Sequence, residues 1–168
     1  MSGRIGIIYG STTGNTGNIA ELIKEKIGNA EIINVTGADE RIFESYEVLI
    51  LGTSTWGIGD LQDDWSDSIE NLGHSDLTGK KVAIFGLGDQ TCYPDSFVDG
   101  MKDLYDKSKS AGAEIIGFTP VDEYEYSVSK AVIDGKFLGL PLDEDSQPDK
   151  TNSRLESWIS KILNEINR

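Results

Sequence analysis

Short, mostly apolar runs recur at five places along the chain. They lie at residues 5–9, 31–35, 48–51, 82–85 and 115–118. Within each run the apolar residues follow one another without alternating with polar ones, which is typical of parallel strands that are covered on both faces. The pattern therefore predicts five buried strands.

Segments with helical spacing lie between these runs. Ile19, Leu22, Ile23 and Ile27 recur at intervals of three and four residues, and Gly28 is placed to end this helix. A longer apolar stripe occupies the C-terminal segment and consists of Leu155, Trp158, Ile159, Ile162, Leu163 and Ile166. Because strands and helices alternate, we expect an α/β fold with a doubly wound parallel sheet.

One polar stretch interrupts this alternation. Residues 119–136 are mostly polar, and the strand-like sequence FLGLPL follows them. A structureless loop of this length is unusual inside a compact domain, so we interpret the stretch as an insertion that interrupts the last strand. The length of 168 residues suits one domain, and we assign residues 1–168 to it.

The charge of the chain limits its partners. Fifteen Lys and Arg residues stand against 29 Asp and Glu, which gives a net charge of −14. This charge argues against binding to nucleic acid or to an anionic membrane surface, and it favours protein partners with a basic surface.

The sequence also predicts the cellular location. Cys92 is the single cysteine, so no intramolecular disulfide and no cysteine-based metal cluster can form. No signal-peptide pattern and no apolar run of about 20 residues is present. We expect a monomeric protein of the cytoplasm.

The loop after the first predicted strand has the composition of a phosphate site. The sequence YGSTTGNTGNIAELI offers hydroxyl and amide donors, the glycines Gly10 and Gly14, which allow close backbone approach, and the start of a helix, whose free N–H groups attract anions. It lacks the lysine of a nucleotide-hydrolysing loop and the middle glycine of a dinucleotide fingerprint. A monophosphate therefore fits better than ATP or NAD, although the same residues would also suit a simple turn with a helix cap.

Two further loops are expected at the same edge of the sheet. LGTSTWGIGD ends the third predicted strand and FGLGDQTCYPDSF ends the fourth, and each contains one large aromatic residue, Trp56 or Tyr93. Two such residues can stack on both faces of a flat ring, although either could instead cover the end of the core. Taken with the phosphate loop, they favour flavin mononucleotide (FMN).

The segments GSTTGNT, TSTWGIGDLQDDW and GLGDQTCYPDSF, together with the late DGKFLGLPLDEDSQPDKT, resemble the long-chain flavodoxins in sequence and in order. The resemblance covers essentially the whole chain. It implies a five-stranded sheet in the order 2-1-3-4-5 with an insertion in the last strand. It also implies non-covalent FMN and one-electron transfer between redox enzymes, with no catalytic residues and no metal. The acidic residues in and beside the two flavin loops would oppose the charge of the reduced flavin, so we expect a low-potential carrier.

The resemblance also implies which residues bind the cofactor. Those expected at the phosphate are Ser11, Thr12, Thr13, Gly14, Asn15 and Thr16. Those expected in the first flavin loop are Ser54, Thr55, Trp56, Gly57, Ile58 and Gly59. Those expected in the second are Leu87, Gly88, Asp89, Tyr93 and Ser96, with Asp145 approaching the ligand from a later loop.

Two other functions remain open at this point. An FMN-dependent NAD(P)H:quinone reductase of the same fold would need a pocket open over the ring, which stacking by both Trp56 and Tyr93 would close. A receiver-type signalling domain would need acidic residues after the first strand and a phosphoacceptor Asp after the third. YGST and GTST occupy these two places.

Overall fold

The computed structural model describes residues 4–11, 14–56 and 60–167. The strands, in chain order, are β1 (Ile5–Tyr9), β2 (Glu31–Asn34), β3 (Val48–Trp56), β4 (Asp60–Leu61), β5 (Lys81–Leu87), β6 (Glu114–Ile116), β7 (Thr119–Pro120), β8 (Val132–Ile133), β9 (Lys136–Phe137) and β10 (Leu140–Leu142). The helices are α1 (Asn15–Ile27), α2 (Glu40–Glu44), α3 (Asp63–His74), α4 (Gly100–Ser110) and α5 (Thr151–Ile166), and a 3₁₀ turn (Pro148–Lys150) precedes α5.

The central sheet has the predicted strand order. Its strands run β2-β1-β3-β5, and both β6 and β10 pair with the outer side of β5. β6 lies beside the first half of β5 and β10 beside the second half, so the two short strands share the position of one strand. This arrangement confirms the order 2-1-3-4-5 and the insertion in the last strand.

The insertion between β6 and β10 has secondary structure of its own. β7, β9 and β8 form a small antiparallel sheet in that order. Phe137 of β9 is fully buried and packs against the rings of Phe97, Tyr124 and Tyr126. The polar stretch is therefore tied to the loop after β5 by an aromatic cluster, which the polar composition of the stretch did not predict.

Helices cover both faces of the sheet, which explains the uninterrupted apolar runs. Ile8 belongs to the core half that contains Trp65 of α3, whereas its neighbour Ile7 belongs to the half that contains Trp158 of α5. Successive residues of a strand point to opposite faces, so a strand covered on both sides needs apolar residues at every position. At the end of α1, Gly28 has φ +88° and its N–H donates to the Lys24 carbonyl at 2.7 Å, as expected of a helix-ending glycine.

Strand β3 is longer than predicted. The apolar run ends at Leu51, but pairing with β5 continues to Ser54, and Thr55 and Trp56 pair with β4. Hydrogen bonds to neighbouring strands extend β3 through residues whose side chains are polar, so Ser54 and Thr55 belong to a strand rather than to a loop. Among the described residues, no helix is both long enough and apolar enough to cross a membrane.

Candidate functional site

A cleft of about 160 Å³ lies at the carboxyl edge of the central sheet. The structure brings ten of the residues that were predicted to bind the cofactor to its walls. They are Asn15, Thr16, Ser54, Thr55, Leu87, Gly88, Asp89, Tyr93, Ser96 and Asp145. Crossovers of a parallel sheet return the chain in the same direction, so the segments after β1, β3, β5 and β10 all meet at this edge.

The start of α1 forms one end of the cleft. Gly14 precedes the helix with φ +94°, and its N–H donates to the Ser11 hydroxyl oxygen at 3.0 Å. The first turn of α1 contains no acidic residue, so no carboxylate competes for the partial positive charge of this helix end. Asn15 and Thr16 face the cleft from this turn, which suits it to an anionic group.

Five of the residues predicted to contact the phosphate or the ring lie outside the part of the chain that the structure describes. They are Thr12, Thr13, Gly57, Ile58 and Gly59. The backbone of Trp56 ends β3, whereas its side chain is likewise outside the description. Stacking by this residue therefore remains a prediction.

The end of β3 supplies two hydroxyl groups with different surroundings. The Thr55 hydroxyl oxygen accepts the N–H of Gly100 at 2.9 Å and so ties β3 to the start of α4. The Ser54 hydroxyl is buried, and it has no hydrogen-bond partner among the described residues. Because buried hydroxyl groups are nearly always paired, Ser54 is suited to a polar atom of a ligand in the cleft.

The turn after β5 presents an acidic and an aromatic side chain. Burial favours a higher pKa for Asp89, but hydrogen bonds from Cys92, from Ser146 and from the Thr91 N–H outweigh it and lower that pKa. Asp89 is therefore ionised at neutral pH. Tyr93, which is 49% exposed, stands on the same turn with its ring available for stacking.

Three residues of the cleft were absent from the prediction. Phe97 is the last residue of the predicted second flavin loop and Val98 follows it directly, and both are apolar and almost completely buried. Glu144 directly precedes Asp145 in an acidic run. This position beside a predicted site residue was the feature of the sequence that could have identified Glu144. A Cβ at Gly88 would lie 3.0 Å from a Val98 methyl and 3.1 Å from the Phe97 ring, so these residues set how closely the turn after β5 packs.

The electrostatics differ between the two ends of the cleft. Asp89, Glu144 and Asp145 enter the cleft from the turns after β5 and β10, whereas the first turn of α1 contributes no acidic side chain. Desolvation raises the pKa of Asp145, and the negative charges of Asp89 and Asp143 raise it further. The cleft walls formed by described residues contain no Lys, Arg, His or Cys. Nowhere in the described part of the chain do three or more His, Cys, Asp or Glu side chains form a group that could hold a metal ion.

The site therefore combines anion-binding groups at one end with stacking and acidic groups at the other. It suits a ligand that carries a phosphate on a flexible tail and a planar ring. The donors at the anion end are uncharged, and a helix end with hydroxyl groups can hold a phosphate without a cation.

Comparisons with known proteins find the same fold and similar sequences over nearly the whole chain. The family model described as flavodoxin matches residues 7–158. The flavodoxin of Synechocystis sp. is 44% identical over 162 residues, which cover 95% of each chain. That of Helicobacter pylori is 42% identical over 160 residues, which cover 95% of this chain and 96% of the relative.

Solved structures include the flavodoxin of Fusobacterium nucleatum bound to flavin mononucleotide. That protein is 36% identical in sequence and superposes with a TM-score of 0.92 over 97% of this chain and 98% of its own.

Proposed function

This chain belongs to the flavodoxin family, and we propose that it carries single electrons between redox proteins by means of a non-covalently bound FMN. It is an electron-transfer protein and not an enzyme. The observation that carries the proposal is the cleft itself, in which a neutral helix end and an acidic, aromatic wall face one space. Bound FMN supplies the redox chemistry, because its flavin ring accepts and releases electrons one at a time.

The α1 end holds the phosphate in this proposal. Asn15 and Thr16 lie in the first turn of α1, and Ser11 orders the preceding loop by accepting the Gly14 N–H. Thr12 and Thr13 are proposed to add hydroxyl donors. This end orients the ligand without a charged side chain.

The remaining walls hold the flavin ring. Leu87, Gly88 and Ser96 shape the wall that follows β5, and Tyr93 stacks on the ring. The buried Ser54 hydroxyl finds its hydrogen-bond partner on the ligand. Trp56, Gly57, Ile58 and Gly59 are proposed to close the opposite side of the ring.

The acidic wall disfavours the addition of electrons to the ring. At an effective dielectric constant near 20, two unit charges about 10 Å apart repel by about 1.7 kcal/mol. A difference of about 1.4 kcal/mol corresponds to about 59 mV for one electron. Asp89, Glu144 and Asp145 therefore support the proposal of a low-potential carrier.

Absorption spectroscopy and titration test the assignment of the cofactor. We expect the purified protein to be yellow, and its apoprotein to bind FMN more tightly than riboflavin, which lacks the phosphate. Steady oxidation of NADPH by the protein alone would instead support a quinone reductase. A colourless protein that binds neither flavin would exclude the carrier function.

The partners are proposed to be basic redox proteins. Residues 88–101, 119–129 and 142–149 contain ten acidic residues and no Lys or Arg, and all of the ten except Asp99 and Asp143 reach the surface. These three segments are joined: the Val128 N–H donates to the Pro94 carbonyl at 2.9 Å, and the Gln90 N–H donates to Asp143 at 3.0 Å. The acidic face beside the cleft therefore suits partners with a lysine- or arginine-rich surface, such as flavin or iron–sulfur proteins.

We further propose that the protein acts as a monomer in the cytoplasm. The net charge of −14 opposes self-association through the acidic face. Sedimentation at low and high salt tests the monomer, since a dimer at both salt concentrations would contradict it.

A further inference from the structure

Asp143 is the most deeply buried carboxylate among the described residues, with 0% of its surface exposed. It directly follows β10, next to the acidic residues that line the cleft. Its Oδ2 atom accepts the N–H of Gln90 at 3.0 Å. Its Oδ1 atom accepts the N–H groups of Asp145 at 3.1 Å and Ser146 at 2.8 Å.

These hydrogen bonds join two walls of the cleft that are far apart in sequence. Gln90 belongs to the turn after β5, which also carries Asp89 and Tyr93. Asp145 and Ser146 belong to the turn after β10. The Ser146 hydroxyl adds a second link, since it lies 2.7 Å from the Thr91 hydroxyl and 3.2 Å from an oxygen of Asp89.

A carboxylate suits this position because the three groups that surround it are all donors. An ionised carboxylate offers about four acceptor sites and no donor, and hydrogen bonds to a charged acceptor are stronger than neutral ones. Gln90 is only 3% exposed, so its N–H has little access to water if Asp143 is removed. Pairing of β5 with β10 brings the starts of the two turns together, and the Asp143 side chain adds three hydrogen bonds that join the turns beyond the strand ends.

We propose that Asp143 is a positioning residue that holds the turns after β5 and β10 at the separation required by the flavin ring. This inference rests on the proposed function, because it assigns Asp143 to the ring end of the FMN site. The hydrogen bonds of its carboxylate join the turns after β5 and β10, so we expect Asp143 to act on the ring and not on the phosphate.

The test compares Asp143→Asn with Asp149→Asn in the full-length protein. Asp149 is exposed in the 3₁₀ turn, so its replacement removes the same charge from the same segment without touching the two turns. The affinity of each apoprotein for FMN and for riboflavin is measured by quenching of flavin fluorescence. The visible absorption and circular dichroism of the bound flavin are recorded, and the thermal midpoint of the apoprotein is measured separately.

In Asp143→Asn the amide NH₂ faces a backbone donor, so at least one of the three bonds is lost. We expect the affinities for FMN and riboflavin to fall by a similar factor of about ten or more, with a changed flavin circular dichroism spectrum. Asp149→Asn should leave both affinities unchanged. A lower thermal midpoint with unchanged affinities and spectra would reduce Asp143 to a purely structural role, and a loss confined to FMN would place its effect at the phosphate. Either result overturns the inference.

Ser146→Ala provides an independent test if Asp143→Asn fails to fold. Ser146 is exposed, and this change leaves the three bonds of Asp143 in place while it removes the second link to Asp89 and Thr91. We expect about a threefold loss of affinity for both flavins, and unchanged affinities would contradict the role of the two turns. Wild-type protein that binds neither flavin would refute the proposed function instead.

Discussion

Replacing Ser54 with alanine separates the role of its hydroxyl in the ligand site from any role in folding. The hydroxyl is buried at the cleft and has no hydrogen-bond partner among the described residues. The change removes one oxygen atom and keeps the methylene carbon, so the loss of packing is small. The change is predicted to make the apoprotein more stable and, at the same time, to weaken FMN binding.

The size of each effect depends on whether the Ser54 hydroxyl has a hydrogen-bond partner. A buried polar group without a partner costs about 1 to 3 kcal/mol, so Ser54→Ala should stabilise the apoprotein by about 1 kcal/mol after the small loss of packing. In a protein of this length, that gain raises the thermal midpoint by about 2 to 4 °C. With FMN bound, the hydroxyl makes a hydrogen bond worth about 0.5 to 1.5 kcal/mol, so the dissociation constant should rise by about threefold to tenfold.

Ser68→Ala is the matched control for this experiment. Ser68 is 2% exposed, and its hydroxyl donates to the Val35 carbonyl at 3.1 Å, away from the cleft. Its replacement should lower the thermal midpoint, because it leaves a buried carbonyl without that donor, and should leave the FMN affinity unchanged. Both apoproteins are measured by thermal unfolding followed by circular dichroism, and FMN binding by fluorescence quenching.

The reasoning would be refuted if Ser54→Ala lowered the thermal midpoint as Ser68→Ala does and left FMN binding unchanged. That result would mean that the Ser54 hydroxyl already has a partner in the apoprotein and does not face the ligand.

Three other predictions concern charge, pH and backbone strain. Electron transfer to a basic acceptor such as cytochrome c should slow as the salt concentration rises, and the rate should depend less on salt in Asp95→Asn. Rates that do not change with salt concentration would contradict docking on the acidic face. Because the pKa of Asp89 is lowered in the folded state, its stabilising effect is present above the ordinary Asp pKa and is lost as pH falls through the lowered value. In urea unfolding at a series of pH values, the free energy of unfolding should therefore fall less steeply with decreasing pH for Asp89→Asn than for the wild type. Equal dependence on pH in both proteins would contradict the lowered pKa of Asp89. Glu123 is exposed and has φ +71°, so Glu123→Gly should raise the free energy of unfolding by about 1 kcal/mol without changing FMN affinity, and a loss of stability would argue against strain at this turn.

The class of fold and the edge at which the ligand site lies follow from local patterns in the sequence. The uninterrupted run from Ile5 to Tyr9 and the helical spacing of Leu155, Trp158 and Ile162 require a sheet with helices on both faces, because only that arrangement buries every apolar position. The loop around Gly14 indicated an anion site, because glycine and hydroxyl residues before a helix have a local physical meaning.

The way in which the walls of the site are joined could not be predicted from local patterns and is seen in the folded protein. Asp143 and Asp145 stand in the same acidic run, and nothing in their order shows that the first is fully buried and the second exposed. The sequence placed Ser54 and Phe97 in loops. The structure shows that Ser54 pairs with β5 and that rings of the insertion pack against Phe97. Burial and hydrogen-bond partners of this kind depend on contacts between segments far apart in the chain, and local spacing carries no information about which distant segment will supply them.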